Sequence, residues 1–365
     1  MLAVGIVASF AGVAGSRTLS EGDAPAMASG FWQPCDCGPD WEVFATGLTN
    51  PRHMRVGPDG LLYVAEAGVG GTQLAPADCP LDNMFNQTAP YMGGLTGRVS
   101  RIHRDGRVET VVEGIASVVD GTSEVLGASD IDWIGNTLYV LTEGGGCTRG
   151  LPDSPSGILR VNRDRSATYV ADISAFIRSH PVQVEPLCGP EGDCEPDGVP
   201  HSMVAVGRHL YVVETNHNSI LRVDPRTGHI ERRHDLSVLD PAPIRIIRHG
   251  IHALIGTFDG DLLAMGLLRR HVTFLQSGFN PLVDLVDFRG RLHLLETFTE
   301  PWTGNTGRVL RRNHDGSSTE VAAGLNFPMG LAEWRGDLYV SHNSFFQGPV
   351  HGTGEVLRVR CRERH

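Results

Sequence analysis

Long hydrophobic runs are scarce in this chain: the longest, MLAVGIVASFAGVAG at Met1–Gly15, falls short of the roughly 20 residues that a transmembrane helix needs. A membrane span in the mature protein is therefore not expected. Positive charge is in deficit, with 31 Lys and Arg against 42 Asp and Glu and a net charge of −11. That balance disfavours nucleic acid and anionic membrane as main partners, since neither is drawn to such a surface. No glycine-rich phosphate loop, nucleophile elbow or HExxH pair occurs, so the strongest local signs of nucleotide binding, serine hydrolysis and zinc proteolysis are missing. No two CxxC pairs form a zinc ribbon, and Cys35-Asp-Cys37 is too tight for a zinc knuckle. Helical periodicity is also missing; Ile173–Ser179 is the one stretch that predicts a short helix.

What is present is turn chemistry and a globular core. Forty-five glycines and 22 prolines punctuate a chain that is 41% hydrophobic and 20% charged. Residues 1–30 read as a signal peptide and polar linker, with small residues closing the apolar segment. The expected location is secreted or periplasmic. Seven cysteines then read as disulfides plus one leftover thiol. Cys188 and Cys194 bound a short loop and form a natural pair. Cys79 and Cys147 fall in corresponding loops and form a second candidate. The sequon Asn86-Gln87-Thr88 matters only in a host that glycosylates.

One pattern recurs through residues 31–365: an apolar strand, a tight turn, then a strand reading roughly L-Y-V-x-E. It runs from His53–Gly60 into LLYVAEAG, Asp130–Asn136 into TLYVLTEG and Ser202–His209 into LYVVETN. Three more copies run from Arg245–Gly250 into HALIGTF, Asp284–Gly290 into RLHLLETF and Gly330–Gly336 into DLYVSHN. A third and usually a fourth alternating strand follow each pair. Four-stranded antiparallel units repeated six times bury their faces by radial stacking. The predicted fold is all-β, a single six-bladed β-propeller. The last repeat ends at its third strand, Gly354–Arg360, while a spare strand, Trp41–Leu48, precedes the first. The N-terminal strand is expected to complete the last blade, bringing Cys35 or Cys37 near Cys361 and leaving the other free.

The start of each inner strand faces the axis on one side of such a ring. Those positions are His53, Asp130, Ser202, Arg245, Asp284 and Gly330, preceded by Arg52, Ser129, His201, Ile244, Val283 and Met329. Ionisable groups that differ from blade to blade are not a repeat device, so they point to a site. Asp130 and Asp284, with His201, are the candidate ligands of a divalent cation, Ca²⁺ or Zn²⁺. His53 and His201 are candidate general bases, with Arg245 or Arg52 steadying an anion. Arg52, Glu66, Glu214, Glu296 and His342 are the candidate ligand contacts. Glu143 stands one residue late in the same series. The plainer alternative for the glutamates is a loop latch copied with the repeat, each accepting backbone N–H bonds.

The segments ATGLTNPRHMRVGPDGLLYVAEAGVGG, TGRVSRI, GASDIDW and GLNFPMGLAEWRGDLYVSHN…GTGEVLRV resemble the ScyD/ScyE family of exported propeller proteins, from about Trp41 to Arg360. That resemblance implies an exported propeller related to NHL-repeat proteins and gluconolactonases. His53, Ser202 and Arg245 replace the family's usual Pro-x-Gly. Separately, VPHSMVAVGRHLYVVETNHNSILRV is similar to a blade of the peptidyl-hydroxyglycine amidating lyases, which implies zinc on His201; blade 6 reads PMG, without the histidine. The expected function is binding of a small organic ligand at the channel mouth by a monomer, with lyase or hydrolase chemistry. The alternative is a non-catalytic extracellular scaffold or protein-binding propeller. Replacing His53 and His201 separates the two.

Overall fold

The computed structural model describes residues 35–79, 90–187, 194–267, 271–345 and 348–363. The expected signal peptide, Cys188 and the sequon lie outside them, and so do the side chains of Cys35 and Cys37.

Six antiparallel sheets make the six blades. From the axis outward, blade 1 is Pro51–Val56, Leu62–Glu66, Met92–Ile102 and Val108–Val119, with a fifth short strand, Val125–Leu126. Blade 2 is Ala128–Ile134, Thr137–Thr142, Gly157–Val161 and Ala167–Asp172. Blade 3 runs Pro200–Val206, His209–Glu214, Ser219–Asp224 and His229–Asp235. Blade 4 runs Pro243–His249, His252–Thr257, Leu262–Gly266 and Val272–Gln276. Blade 5 runs Leu282–Phe288, Arg291–Glu296, Gly307–Arg312 and Ser318–Leu325.

Blade 6 closes the ring as the repeat count requires. Gly330–Trp334, Asp337–His342 and Gly354–Glu363 are completed on the outside by Cys35–Leu48. The register sets Cys37 opposite Cys361, and Cys361 is disulfide-bonded. A second disulfide joins Cys79 to Cys147, tying a loop of blade 1 to one of blade 2. Cys194 is disulfide-bonded as well. The predicted helix is present at Ile173–Ser179, capped by Asp172 accepting from the Ala175 N–H at 2.7 Å.

The core is distributed around the ring. Each second strand is covered by both neighbouring blades, so LYVAE at Leu62–Glu66 is buried at every position. The six main apolar clusters fall between blades rather than within them. Tyr139, Leu141 and Ile158 of blade 2 meet Met203, Val212 and Leu221 of blade 3 in one; Val64 and Met54 of blade 1 meet Trp334 and Tyr339 of blade 6 in another. Each buried aliphatic side chain contributes about 1.5–3 kcal/mol, so most of the stabilisation appears only when neighbouring blades dock. Among the described residues, no helix is long and apolar enough to cross a membrane.

Candidate functional site

Inner strands begin with a kink. The register shifts between Ala128 and Asp130, Pro200 and Ser202, Pro243 and Arg245, and Leu282 and Asp284, with a longer shift from Pro51 to Met54. A bulge re-aims consecutive side chains, so in blades 1 to 5, though not in blade 6, which pairs without a shift, two residues address the axis region rather than one. They form two levels with different character.

At the lower level the axis is filled. Arg245 Nη1 donates to Asp130 Oδ2 at 2.7 Å and to Ser202 Oγ at 2.9 Å. Its Nε lies 2.5 Å from Asp284 Oδ1, a close charge contact without the alignment of a hydrogen bond. Asp130 also accepts from Ser202 Oγ at 2.8 Å and from the Met203 N–H at 3.0 Å; Asp284 accepts from the Leu331 N–H at 2.7 Å. Just below, Arg55 donates to the Ile131 and Met203 carbonyls, both at 2.8 Å, and faces Asp132 at 3.7 Å. His53 bridges the ring, with Nε2 3.1 Å from the Val283 carbonyl and Nδ1 3.4 Å from that of Ser129. Blade 6 supplies Gly330 because a Cβ there would meet the Arg52 carbonyl oxygen at 2.4 Å.

Electrostatics make this level a plug. Burial alone would raise the Asp130 carboxyl, but Arg245 and Arg55 hold it well below the carboxylate range. Burial and the Asp130 charge push Asp284 up to about 6, against the pull of Arg245. Three carboxylates thus face two guanidiniums, and the surplus charge is relieved at Asp284. Burial and Arg245 press His53 well below its ordinary value, so its ring is neutral.

Arg245 stands between Asp130 and Asp284, and His201 faces Glu143. Among the described residues no group of three or more His, Cys, Asp or Glu is arranged to hold a metal. Glu66, Glu214 and Glu296 make the contacts of loop latches. They accept the N–H groups of Thr49, Val199 and Asn280 at 2.6, 2.7 and 2.9 Å, in the loops leading to the inner strands. Glu66 and Glu296 also bind Arg98 and Arg308, at 2.8 and 2.6 Å from the Nε atoms. His342 pairs with Glu355 at 3.2 Å and lies 5.7 Å from Trp41 of the outermost strand, sharing no partner with Arg52 or His201 among the described contacts.

The upper level is different, because several of its polar atoms are buried without partners among the described residues. Arg52 is 1% exposed, donates through Nη2 to the Val125 carbonyl, and leaves Nε and Nη1 unpartnered among the described residues. Phe345 lies against its guanidinium, 5.1 Å away. Burial lowers the Arg52 pKa, while Glu143 and Glu124 oppose that fall. His201 Nδ1 lies 2.7 Å from Glu143 Oε2; His201 Nε2 and Glu143 Oε1 have no partner among the described residues. The His201 ring stands 5.6 Å from His53, edge to face, immediately above the plug. Beside this group Arg149 donates to Glu195 at 2.8 Å, and Tyr91 donates to the same carboxylate at 2.5 Å. Burial and Glu195 raise the Tyr91 pKa well above its ordinary value.

Arg52 and His201 stand at the entries of inner strands, whereas Glu143 falls in the series of the latch glutamates. The signal that sets it apart is its offset. Thr142 pairs with Ala128 as Glu66 pairs with Pro51, so Glu143 stands one residue past the latch position and is free to turn to blade 3. Arg149, Glu195 and Tyr91 carried no local signal. Lysine is absent from the whole sequence, so Schiff-base chemistry on a side-chain amine is excluded.

No family model matches the chain, and no curated protein matches its sequence. Solved structures resemble it in fold at low identity. One is a protein of unknown function from Bacteroides thetaiotaomicron, 13% identical, with a TM-score of 0.49 over 90% of this chain and 73% of that one. Another is a nidogen/laminin complex, 11% identical, with a TM-score of 0.46 over 70% and 85%. A third is the extracellular domain of a hybrid two-component system protein from the same Bacteroides, 12% identical, with a TM-score of 0.43; the match covers 82% of this chain and 33% of that protein.

Proposed function

We propose that this chain is an exported propeller of the ScyD/ScyE type that binds a small organic anion at the mouth of its ring. One observation carries the reading: Arg52 is a fully buried cation that, among the described residues, has two unpartnered nitrogens and no carboxylate bonded to it. A buried guanidinium costs several kcal/mol in desolvation unless an anion completes it. His201 Nε2 and Glu143 Oε1 supply one acceptor or donor each for the remainder of the ligand, and Phe345 an apolar wall. All four described cysteines whose side chains are placed, Cys79, Cys147, Cys194 and Cys361, are in disulfides, which supports an oxidising compartment.

Titration of the full chain with malonate and with benzoate, followed by calorimetry, tests the reading. Saturable binding of either anion is expected, weakened about 10- to 100-fold by Arg52→Gln, the range for losing a charge-assisted hydrogen-bond pair. If neither anion binds, the mouth is not an anion site and the scaffold reading replaces it.

A further inference from the structure

We infer that Glu143 and His201 form a proton-transfer pair, with His201 Nε2 as the general base acting on the ligand held by Arg52. The inference rests on the mouth being a ligand site and adds the chemistry done there.

The tautomer follows from the contact. A carboxylate oxygen 2.7 Å from Nδ1 can only accept, so Nδ1 carries the proton. In the neutral ring Nε2 is then a free lone pair. It is buried, on a side chain 7% exposed, and unpartnered among the described residues. His53, the neighbouring imidazole, has a carbonyl near each ring nitrogen and no such opening. His342 shows the same pattern, with Glu355 3.2 Å from Nδ1 and Nε2 unpartnered among the described residues, but it lies beside Trp41 of the outermost strand, away from Arg52. Glu143 is itself spared from the latch function of Glu66, Glu214 and Glu296, and its position offsets the imidazolium that forms when His201 takes a proton. The titratable groups around His201 are Glu143 and His53, with Arg52 and Arg149 acting on Glu143.

The fitting substrate class is a small ester or amide bearing a carboxylate. Arg52 holds the carboxylate, and Nε2 takes a proton from water as the water oxygen bonds to the carbonyl carbon. The N–H bond forms as the O–H bond breaks. The same proton then passes to the leaving atom as its bond to carbon breaks, giving an acid and an alcohol or amine. His201 is the catalytic residue and Glu143 a positioning residue.

The probe is the mono(4-nitrophenyl) ester of succinic acid, given to the full chain. Release of 4-nitrophenolate is expected above the buffer rate, rising with pH along one ionisation and inhibited competitively by malonate. His201→Ala should lower kcat at least 100-fold, the scale of general-base catalysis, with partial recovery on adding free imidazole. Glu143→Gln should lower kcat about 10- to 100-fold with KM little changed and should alter the pH profile; Arg52→Gln should instead raise KM. A second measurement uses the unmutated protein: the His201 Nε2 nitrogen resonance should show the Nδ1–H tautomer and move on malonate addition. Malonate binding with no ester hydrolysis, or with an unmoved Nε2 resonance, overturns the inference and leaves the anion site standing. Failure of malonate and benzoate to bind removes the site itself and the inference with it.

Discussion

Arg245 and Asp130 meet on the propeller axis at 2.7 Å although they lie 115 residues apart and both are almost completely buried. The pair holds blade 4 to blade 2 across the ring, and Asp284 extends it to blade 5 at 2.5 Å. With His53 beside them, these residues form a charged plug on the axis.

Removing the plug's cation should therefore cost stability. Arg245→Met leaves Asp284 without its guanidinium and Asp130 with Arg55 alone at 3.6 Å, and a broken buried pair costs about 3–5 kcal/mol. Urea unfolding is expected to show a loss of that size. A loss under about 1 kcal/mol would mean that the axis is hydrated and the charges are screened.

The same network sets a pH dependence. Asp284 has its carboxyl raised from 3.8 to about 6 in the folded protein, so the native state holds that proton more tightly than the unfolded chain. Its stabilising contribution is complete below pH 3.8 and is lost as pH rises through 6, up to about 3 kcal/mol. His53, lowered well below 6.5, acts in the opposite direction, its contribution being lost as pH falls. Comparing wild type with Asp284→Asn isolates the first effect. The stability gap between them should change between pH 4 and 6; a constant gap contradicts the raised carboxyl.

Latch and site glutamates should separate in experiment. Glu66→Ala strands the Thr49 N–H, Ser100 and Arg98, and should lower stability by about 2–3 kcal/mol while leaving malonate affinity unchanged. A tenfold fall in malonate affinity in that variant would return Glu66 to the binding site.

The Cys79–Cys147 bridge spans 68 residues and crosses between blades. On the chain-entropy model, closing a loop of that length contributes about 4 kcal/mol. The double replacement Cys79→Ser, Cys147→Ser should lower the unfolding temperature by several degrees, measured by calorimetry. An unchanged Tm would show that the blade contacts alone hold this edge.

How much of this was legible in the residues can be argued from particular positions. Alternation in LLYVAEAG or GEVLRVR is a local property, since each strand needs only one face in and one face out; so the strands, the six repeats and the closure by Trp41–Leu48 could be read directly. The convergence of His53, Asp130, Ser202, Arg245 and Asp284 also followed, because equivalent positions of a repeat occupy equivalent places in a ring. Pairing did not follow. Arg245 inserts between two aspartates that looked like metal ligands, and nothing within blade 4 announces it.

Glu143 marks the boundary between the two kinds of information. Its one-residue offset is visible along the chain, but its partner, His201, is 58 residues away on the next blade. Local sequence determined which residues stand at the mouth. Only ring closure decided which of their polar atoms are bonded and which, at Arg52 and His201, are left unpartnered, because burial and hydrogen bonding at the axis depend on all six blades being in place.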